Sequence, residues 1–157
     1  MSYIPDMTAL RGLSIDAASK FGMPHVGAHY LGKAVRGNRL DDGARCAVCG
    51  APATNSHHVP SVGMGGRNAS FKLCGRILRP ALIALCGSGT TGCHGMAHAG
   101  IYRFSWEWDE DSYERRWWDG DLFACGIEPH DPKLYTMGRW VVSNTETGRE
   151  TEIREGI

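Results

Sequence analysis

Four cysteines in two pairs have the spacing of metal ligands. Cys46 and Cys49 are separated by two residues in CAVCG, which lets both sulfurs face one ion while the backbone turns around it. This spacing alone fits either zinc binding or redox chemistry. A second pair, Cys86 and Cys93, encloses the glycine- and threonine-rich segment of LCGSGTTGC. The two pairs together predict a structural zinc site with four cysteine ligands, which would stabilise a loop-rich segment that lacks a large core.

Four histidines accompany these cysteines. His57 and His58 are adjacent in SHHVP, between the two cysteine pairs, while His94 directly follows the last cysteine and His98 comes four residues later. In a helix, residues i and i+4 share one face, so His94 and His98 can bind one ion together. The pattern predicts a second metal site that keeps open positions for water and substrate.

The order of CAVCG, HHV and LCGSGTTGCHGMAH resembles the cysteine-containing HNH endonucleases, especially those encoded by phages and prophages. The resemblance covers residues 45–98, about a third of the chain. It implies a ββα-metal core in which the four cysteines are the structural zinc ligands. It also implies that His57 binds the catalytic metal, that His58 is the general base, and that His94 and His98 are further ligands from the helix.

The resemblance implies metal-dependent hydrolysis of DNA, leaving 5′-phosphate and 3′-hydroxyl ends. His58, as a neutral imidazole, would accept a proton from the attacking water. A divalent cation on His57, His94 and His98 would stabilise negative charge at the phosphate. Mg²⁺, Mn²⁺, Ni²⁺ and Zn²⁺ are the candidate cations, and imidazole ligands favour the last three over Mg²⁺.

One position departs from the family pattern. The family's central asparagine, which positions the loop of the general base or helps to bind metal, is Ala81 here, in ALIALCG. Asn68, on the loop side, is the candidate replacement. Basic residues between the two metal-bearing elements are the candidate phosphate ligands, although each fits a solvated surface charge as well: Arg67, Lys72, Arg76 and Arg79.

The charged residues are unevenly distributed along a chain with no net charge. Residues 1–100 hold ten Lys/Arg and four Asp/Glu, whereas residues 101–157 hold seven and thirteen. A basic first part suits a DNA backbone, and the acidic second part suits a protein partner; chance segregation is the alternative. The competing function is therefore a catalytically impaired HNH-fold binding protein, or a phage-encoded inhibitor, acting through its acidic face. Retention of the four histidines favours the nuclease.

Helical patterns precede the cysteines. A first helix is expected to end near Phe21 and Gly22, and a second to run from Pro24 to about Val35. Together they form either an αα-hairpin or a helix-turn-helix. Three basic residues near the end of the second helix would then be available to phosphates: Lys33, Arg36 and Arg39. Residues 36–44 are expected to be a polar linker.

Strand-like patterns follow the metal segment. IYRFSWEW has aromatic residues at alternate positions and predicts a strand, DEDSYERRWWDGD predicts an acidic helix or loop, and LYTMGRWVVSNTETGRETEI predicts a hairpin. Trp140, Val141 and Val142 belong to one strand of this hairpin, and its turn runs from Asn144 to Gly148. The tryptophans are expected in the core or on a protein-binding face. The two remaining cysteines, Cys74 and Cys125, are expected to be buried apolar residues.

The expected fold class is α+β, in three segments. Residues 1–44 form an N-terminal helical segment, residues 45–100 the HNH ββα-metal module with its zinc knuckle, and residues 101–157 a β-rich, acidic extension packed on the module. The expected partners are DNA, a protein on the acidic segment and a second copy of the chain. No apolar run approaches the roughly 20 residues that span a bilayer, and no secretion signal is evident. These features predict a cytoplasmic protein, in a bacterial host cell if phage or prophage encoded.

Overall fold

The computed structural model of the chain describes residues 21–31, 38–59, 71–73 and 76–153. Within these residues the fold mixes short strands with short helices, which confirms the α+β class. The strands are β1 (Ala28–Tyr30), β2 (Asn38–Leu40), β3 (Asn55–Val59), β4 (Phe71–Leu73), β5 (Arg76–Leu78), β6 (Ala81–Leu85), β7 (Tyr102–Trp108), β8 (Gly138–Asn144) and β9 (Glu150–Ile153). The helices are α1 (Gly92–His98), α2 (Asp111–Trp118), α3 (Asp121–Ala124) and a 3-10 helix (Pro132–Thr136). Among these helices, none is long and apolar enough to cross a membrane.

The described strands form small sheets. β1 pairs antiparallel with β2, β4 with β5, and β8 with β9, while β7 lies on the other side of β8. β3 pairs with β6. All five residues of β6 are buried, a pattern typical of a strand that is covered on both faces. β6 leads directly into Cys86 and thereby holds the second cysteine pair against the core.

The chain divides into two compact units, each discontinuous in sequence. The first consists of Met1–Pro24, Val59–Ala81 and Trp106–Arg139. The second consists of His25–His58, Leu82–Ser105 and Trp140–Ile157. In the first unit, Trp117 is buried against Phe123, with ring centroids 4.7 Å apart. The second unit contains every cysteine and histidine of the two predicted metal sites.

The local patterns in residues 101–153 are confirmed. The alternating segment forms β7, the acidic segment forms α2, and β8 with β9 forms the hairpin. Asn144 shapes its turn, because the Asn144 side-chain oxygen accepts hydrogen bonds from the backbone N–H groups of Glu146 and Thr147. Trp117 and Trp140 are buried, as expected for core aromatics.

The prediction of a second helix from Pro24 is wrong for residues 24–31, the part of it that the structure describes. Residues 28–30 form β1, and Ala28 pairs with Leu40 of β2, inside the predicted linker. Gly27 precedes the strand with a φ of +69°, and a Cβ there would lie 2.9 Å from the Cβ of Ala84. This close backbone approach and the pairing with β2 outweigh the local helical pattern. The predicted first helix lies outside the described residues except for its last residue, Phe21, which forms an isolated bridge with Pro80. Lys33 and Arg36 also lie outside them, and Arg39 lies on β2 rather than on a helix.

The prediction that Cys125 is buried is also wrong. Cys125 is exposed rather than buried, because it follows the last residue of α3 in a turn before Gly126. Cys74 lies outside the described residues.

Candidate metal centres

Four thiols converge in the second unit and form the cysteine cluster. Cys46 and Cys49 lie in the turn between β2 and β3, Cys86 follows β6, and Cys93 lies in the first turn of α1. Their sulfurs all lie within 4.8 Å of one another, and the Cys49 and Cys86 sulfurs are 3.6 Å apart. Tetrahedral zinc, with Zn–S bonds of about 2.3 Å, requires sulfurs about 3.8 Å apart. The cysteine cluster can therefore hold a metal ion.

Backbone hydrogen bonds shape the turn that carries the first cysteine pair. The Cys46 N–H donates to the Ala51 carbonyl at 2.6 Å, and the Gly50 N–H donates to the Cys46 carbonyl at 2.9 Å. Gly50 has a φ of +78°, which a glycine adopts without strain. The Ala47 N–H donates to the carbonyl of Ala84 in β6, which fixes this turn beside the strand that ends at the second pair.

The loop between Cys86 and Cys93 is tightly packed. Gly87 has a φ of +88°, and a Cβ there would lie 2.1 Å from the Thr91 carbonyl oxygen. The Cys93 N–H points at the Cys86 sulfur at 3.5 Å, and the His94 N–H donates to the Cys86 carbonyl at 2.9 Å. These two hydrogen bonds hold the start of α1 against the end of β6 and so bring Cys93 beside Cys86.

The thiols differ in acidity. Burial disfavours the Cys46 thiolate, but hydrogen bonds from the backbone of Cys49, Cys86 and Val48 prevail and lower the pKa of Cys46 to about 7. Burial, reinforced by the neighbouring thiols, raises the pKa of Cys93. A bound cation would displace the remaining protons, since thiolates rather than thiols are the metal ligands.

Three imidazoles form the histidine cluster beside the same helix. His57 lies on β3 and is 7% exposed, while His94 and His98 lie one turn apart on α1. One ring nitrogen of each lies within 4.8 Å of the others, and the Nε2 atoms of His94 and His98 are 2.9 Å apart. His94 is half-buried and His98 is exposed, so the cluster is closed at His57 and open to solvent at His98.

Burial keeps the inner imidazoles neutral. Desolvation, followed by the charges of His94, His98 and His58, lowers the pKa of His57 to about 3. Desolvation and the charges of His98 and His58 also lower the pKa of His94. His94 Nδ1 is buried and makes no hydrogen bond within the described part of the chain. Neutral imidazoles have a free lone pair for a cation, so this donor set fits a divalent metal ion.

His58 lies next to the histidine cluster but is not one of its ligands. Successive side chains of a strand point to opposite faces, and His58 is half-buried whereas His57 is buried. The His58 ring lies near Tyr30, with centroids 6.2 Å apart. Its charge contributes to the lowered pKa values of His57 and His94, so it acts on the cluster across a short distance.

The proposed phosphate ligands do not belong to the unit that contains the clusters. Lys72 lies on β4, Arg76 on β5, and Arg79 is an exposed residue just after β5, all in the first unit. Arg67 and Asn68 lie outside the described residues. Ala81 begins β6 and is fully buried, so a small apolar side chain fits at that position.

A polar contact at the start of β3 was not predicted from the sequence. The Asn55 side-chain N–H₂ donates to the Gly87 carbonyl, and the Thr54 hydroxyl donates to the same carbonyl at 2.6 Å. The only sequence signal is an asparagine two residues before His57, at the beginning of a strand. Its partner depends on the fold, which brings Gly87 of the second cysteine loop to this strand.

Comparison of the chain with family models, with curated proteins and with solved structures finds no match.

Proposed function

We propose that the protein is a metal-dependent DNA endonuclease of the HNH type, which hydrolyses phosphodiester bonds to 5′-phosphate and 3′-hydroxyl ends. The observation that carries this proposal is the convergence of His57, His94 and His98 on one point from a strand and a helix. A purely structural site is normally closed by four ligands, whereas this one has three and an exposed edge at His98.

The two clusters would have different tasks. The cysteine cluster would hold structural zinc, and the histidine cluster would hold the catalytic divalent cation. That cation, when bound, supplies Lewis-acid stabilisation of charge at the scissile phosphate and its leaving oxygen. His57, as the buried ligand, would fix the inner end of the site, and the solvent-exposed edge at His98 would admit the DNA backbone.

His58 would be the general base. Its position one residue after His57 places a titratable imidazole beside the cluster without making it a ligand. An imidazole with a pKa near neutrality can accept a proton from water at physiological pH. The neutral form of His58 is favoured wherever a cation is bound nearby, because two positive charges repel each other.

Substrate binding would depend mainly on backbone phosphates. Residues 1–100 contain ten Lys/Arg against four Asp/Glu, and Arg79 is exposed after β5. Contacts of this kind do not read sequence, and their affinity falls as salt rises. We therefore expect DNA binding that weakens steeply with ionic strength.

Plasmid cleavage tests the proposal. Purified protein with its zinc is incubated with supercoiled DNA and Mg²⁺, Mn²⁺, Ni²⁺ or Zn²⁺, beside His58→Ala and His94→Ala variants. Each substitution is expected to lower the cleavage rate by roughly 100- to 10,000-fold, the usual contribution of a general base or of a bound metal ion.

The matched control is His29→Ala. His29 is an exposed histidine of the same unit that pairs with Asp41 at 2.7 Å, so its loss should leave cleavage unchanged. Absence of cleavage with every cation, or equal cleavage by His58→Ala, would contradict the nuclease and favour a non-cleaving binding protein. The acidic face is a poorer basis for function, because Arg139 pairs with Glu107 at 3.2 Å and with Asp109 at 3.5 Å and neutralises part of it.

A further inference from the structure

We propose that Asn55 is a positioning residue that couples the two metal sites, so that a metal in the cysteine cluster raises the affinity of the histidine cluster for a divalent cation. This inference rests on the metal-binding part of the proposed function and is independent of DNA cleavage.

The first connection between the clusters is α1. Cys93 and His94 are consecutive residues of this helix, and each belongs to a different cluster. The Cys93 N–H points at the Cys86 sulfur, and the His94 N–H donates to the Cys86 carbonyl. A metal that fixes Cys86 and Cys93 therefore also fixes the start of the helix from which His94 and His98 project.

The second connection is the contact of Asn55 with Gly87. Gly87 directly follows Cys86, and its carbonyl accepts hydrogen bonds from the side chains of both Asn55 and Thr54. The Asn55 amide also donates to the Thr54 hydroxyl at 3.2 Å, which joins the two donors. Asn55 and His57 stand two residues apart on β3 and share a face of the strand. The position of His57 is thus tied to the cysteine loop.

These two connections reach all three histidine ligands. α1 places His94 and His98, while Asn55 places the strand of His57. Without a metal in the cysteine cluster, no coordination bonds hold the loop, and both connections start from a less fixed point. Second-sphere groups of this kind commonly change metal affinity by 10- to 100-fold when they are removed.

Calorimetric titration with Ni²⁺ measures the coupling. Each protein is first prepared with one equivalent of zinc, verified by elemental analysis, and its melting temperature is recorded. Asn55→Ala is expected to bind Ni²⁺ at least about tenfold more weakly than the unsubstituted chain, at unchanged zinc content. Thr54→Val, which removes the second donor to the same carbonyl, is expected to weaken binding about threefold.

Asn144→Ala is the matched control. Asn144 belongs to the same unit, and its side-chain oxygen accepts hydrogen bonds from backbone N–H groups in the β8–β9 turn, away from both clusters. Its substitution should leave Ni²⁺ affinity unchanged. Equal affinity in Asn55→Ala and the unsubstituted chain would overturn the coupling. If Asn55→Ala loses zinc or does not fold, Thr54→Val decides, and its unchanged affinity would overturn the coupling in the same way.

The same titration separates this inference from the nuclease. Ni²⁺ binding that weakens in Asn55→Ala, in a protein that cuts no DNA, would support the coupling and contradict the endonuclease. No Ni²⁺ binding by the unsubstituted chain would overturn the coupling, whereas the endonuclease would still be decided by cleavage with the other cations.

Discussion

The cysteine cluster and the histidine cluster share α1 but differ in the number and the chemical type of their ligands. Four thiols form the cysteine cluster, and the loop after Cys86 has no space for a side chain larger than that of Gly87. Three imidazoles form the histidine cluster, in which His57 is buried, His94 is half-buried and His98 is exposed. Four thiolates complete the tetrahedral shell of a structural metal ion, whereas three neutral imidazoles leave a position for water or another ligand. One short segment thus brings together two ligand sets that differ in number and charge.

The largest effect is expected from Cys93→Ser. Loss of one thiolate should release zinc and lower the free energy of unfolding by about 3 kcal/mol or more, because metal binding and folding are one equilibrium in such segments. Zinc content and urea unfolding measure this. Cys125→Ser, at an exposed cysteine outside the cluster, is the control and should change neither. A Cys93→Ser protein with full zinc and native stability would contradict the structural role of the cysteine cluster.

Alanine substitutions at two glycines compare how much strain each loop of the cysteine cluster tolerates. Gly50 and Gly87 each follow a cysteine and have φ values of +78° and +88°. A Cβ at Gly50 meets nothing within 4 Å, whereas one at Gly87 would lie 2.1 Å from the Thr91 carbonyl oxygen. Gly50→Ala should cost about 1 kcal/mol, and Gly87→Ala about 3 kcal/mol or more. Equal losses in thermal unfolding would show that the second loop rearranges freely.

The pH dependence of the free energy of unfolding tests the burial of His57 in the histidine cluster. Burial lowers the pKa of His57 from 6.5 to about 3, so below pH 6.5 the unfolded chain takes up a proton that the folded chain does not. With the histidine cluster free of metal, the free energy of unfolding should therefore fall as pH drops from 6.5, by at most about 1.4 kcal/mol per pH unit.

Urea unfolding between about pH 7 and 5.5 measures this slope. His57→Gln should have a shallower slope, because glutamine does not titrate. Saturating Ni²⁺ should also reduce the slope, since the metal holds His57 in its neutral form. Identical slopes for His57→Gln and the unsubstituted chain would contradict the burial of a neutral histidine.

The smallest effect is expected away from both clusters. Arg139 forms exposed ion pairs with Glu107 and Asp109, and its side chain is 41% exposed. Arg139→Ala should cost at most about 1 kcal/mol and leave Ni²⁺ affinity unchanged, because solvent screens such pairs. Arg139→Lys retains the charge and is the control. A large loss of metal affinity in Arg139→Ala would mean that the effects of cluster substitutions are not specific.

The sequence was most informative where the constraints are local. The i, i+4 spacing of His94 and His98 predicted the helix α1, and the two cysteine pairs predicted which thiols converge. The β8–β9 hairpin followed from the strand-forming residues 140–142 and the polar turn after them. Each of these features depends on residues close in sequence, or on a ligand pattern that fixes its own partners.

Long-range contacts account for what was not predicted. Residues 28–30 form a strand because Ala28 meets Leu40, although the surrounding residues have a helical pattern. The contact of Asn55 with Gly87 joins residues 32 positions apart, so its significance emerges only from the fold. Helical periodicity and turn composition contain no information about such pairs.

The adjacency of Cys93 and His94 also restricts how the sequence can vary. Each residue of a helix is rotated by about 100° from the one before it. Inserting one residue between these two would turn both histidines of α1 by that angle relative to the cysteine loop. We therefore expect changes in length between Cys93 and His98 to separate the two clusters, so this segment can vary only at constant length.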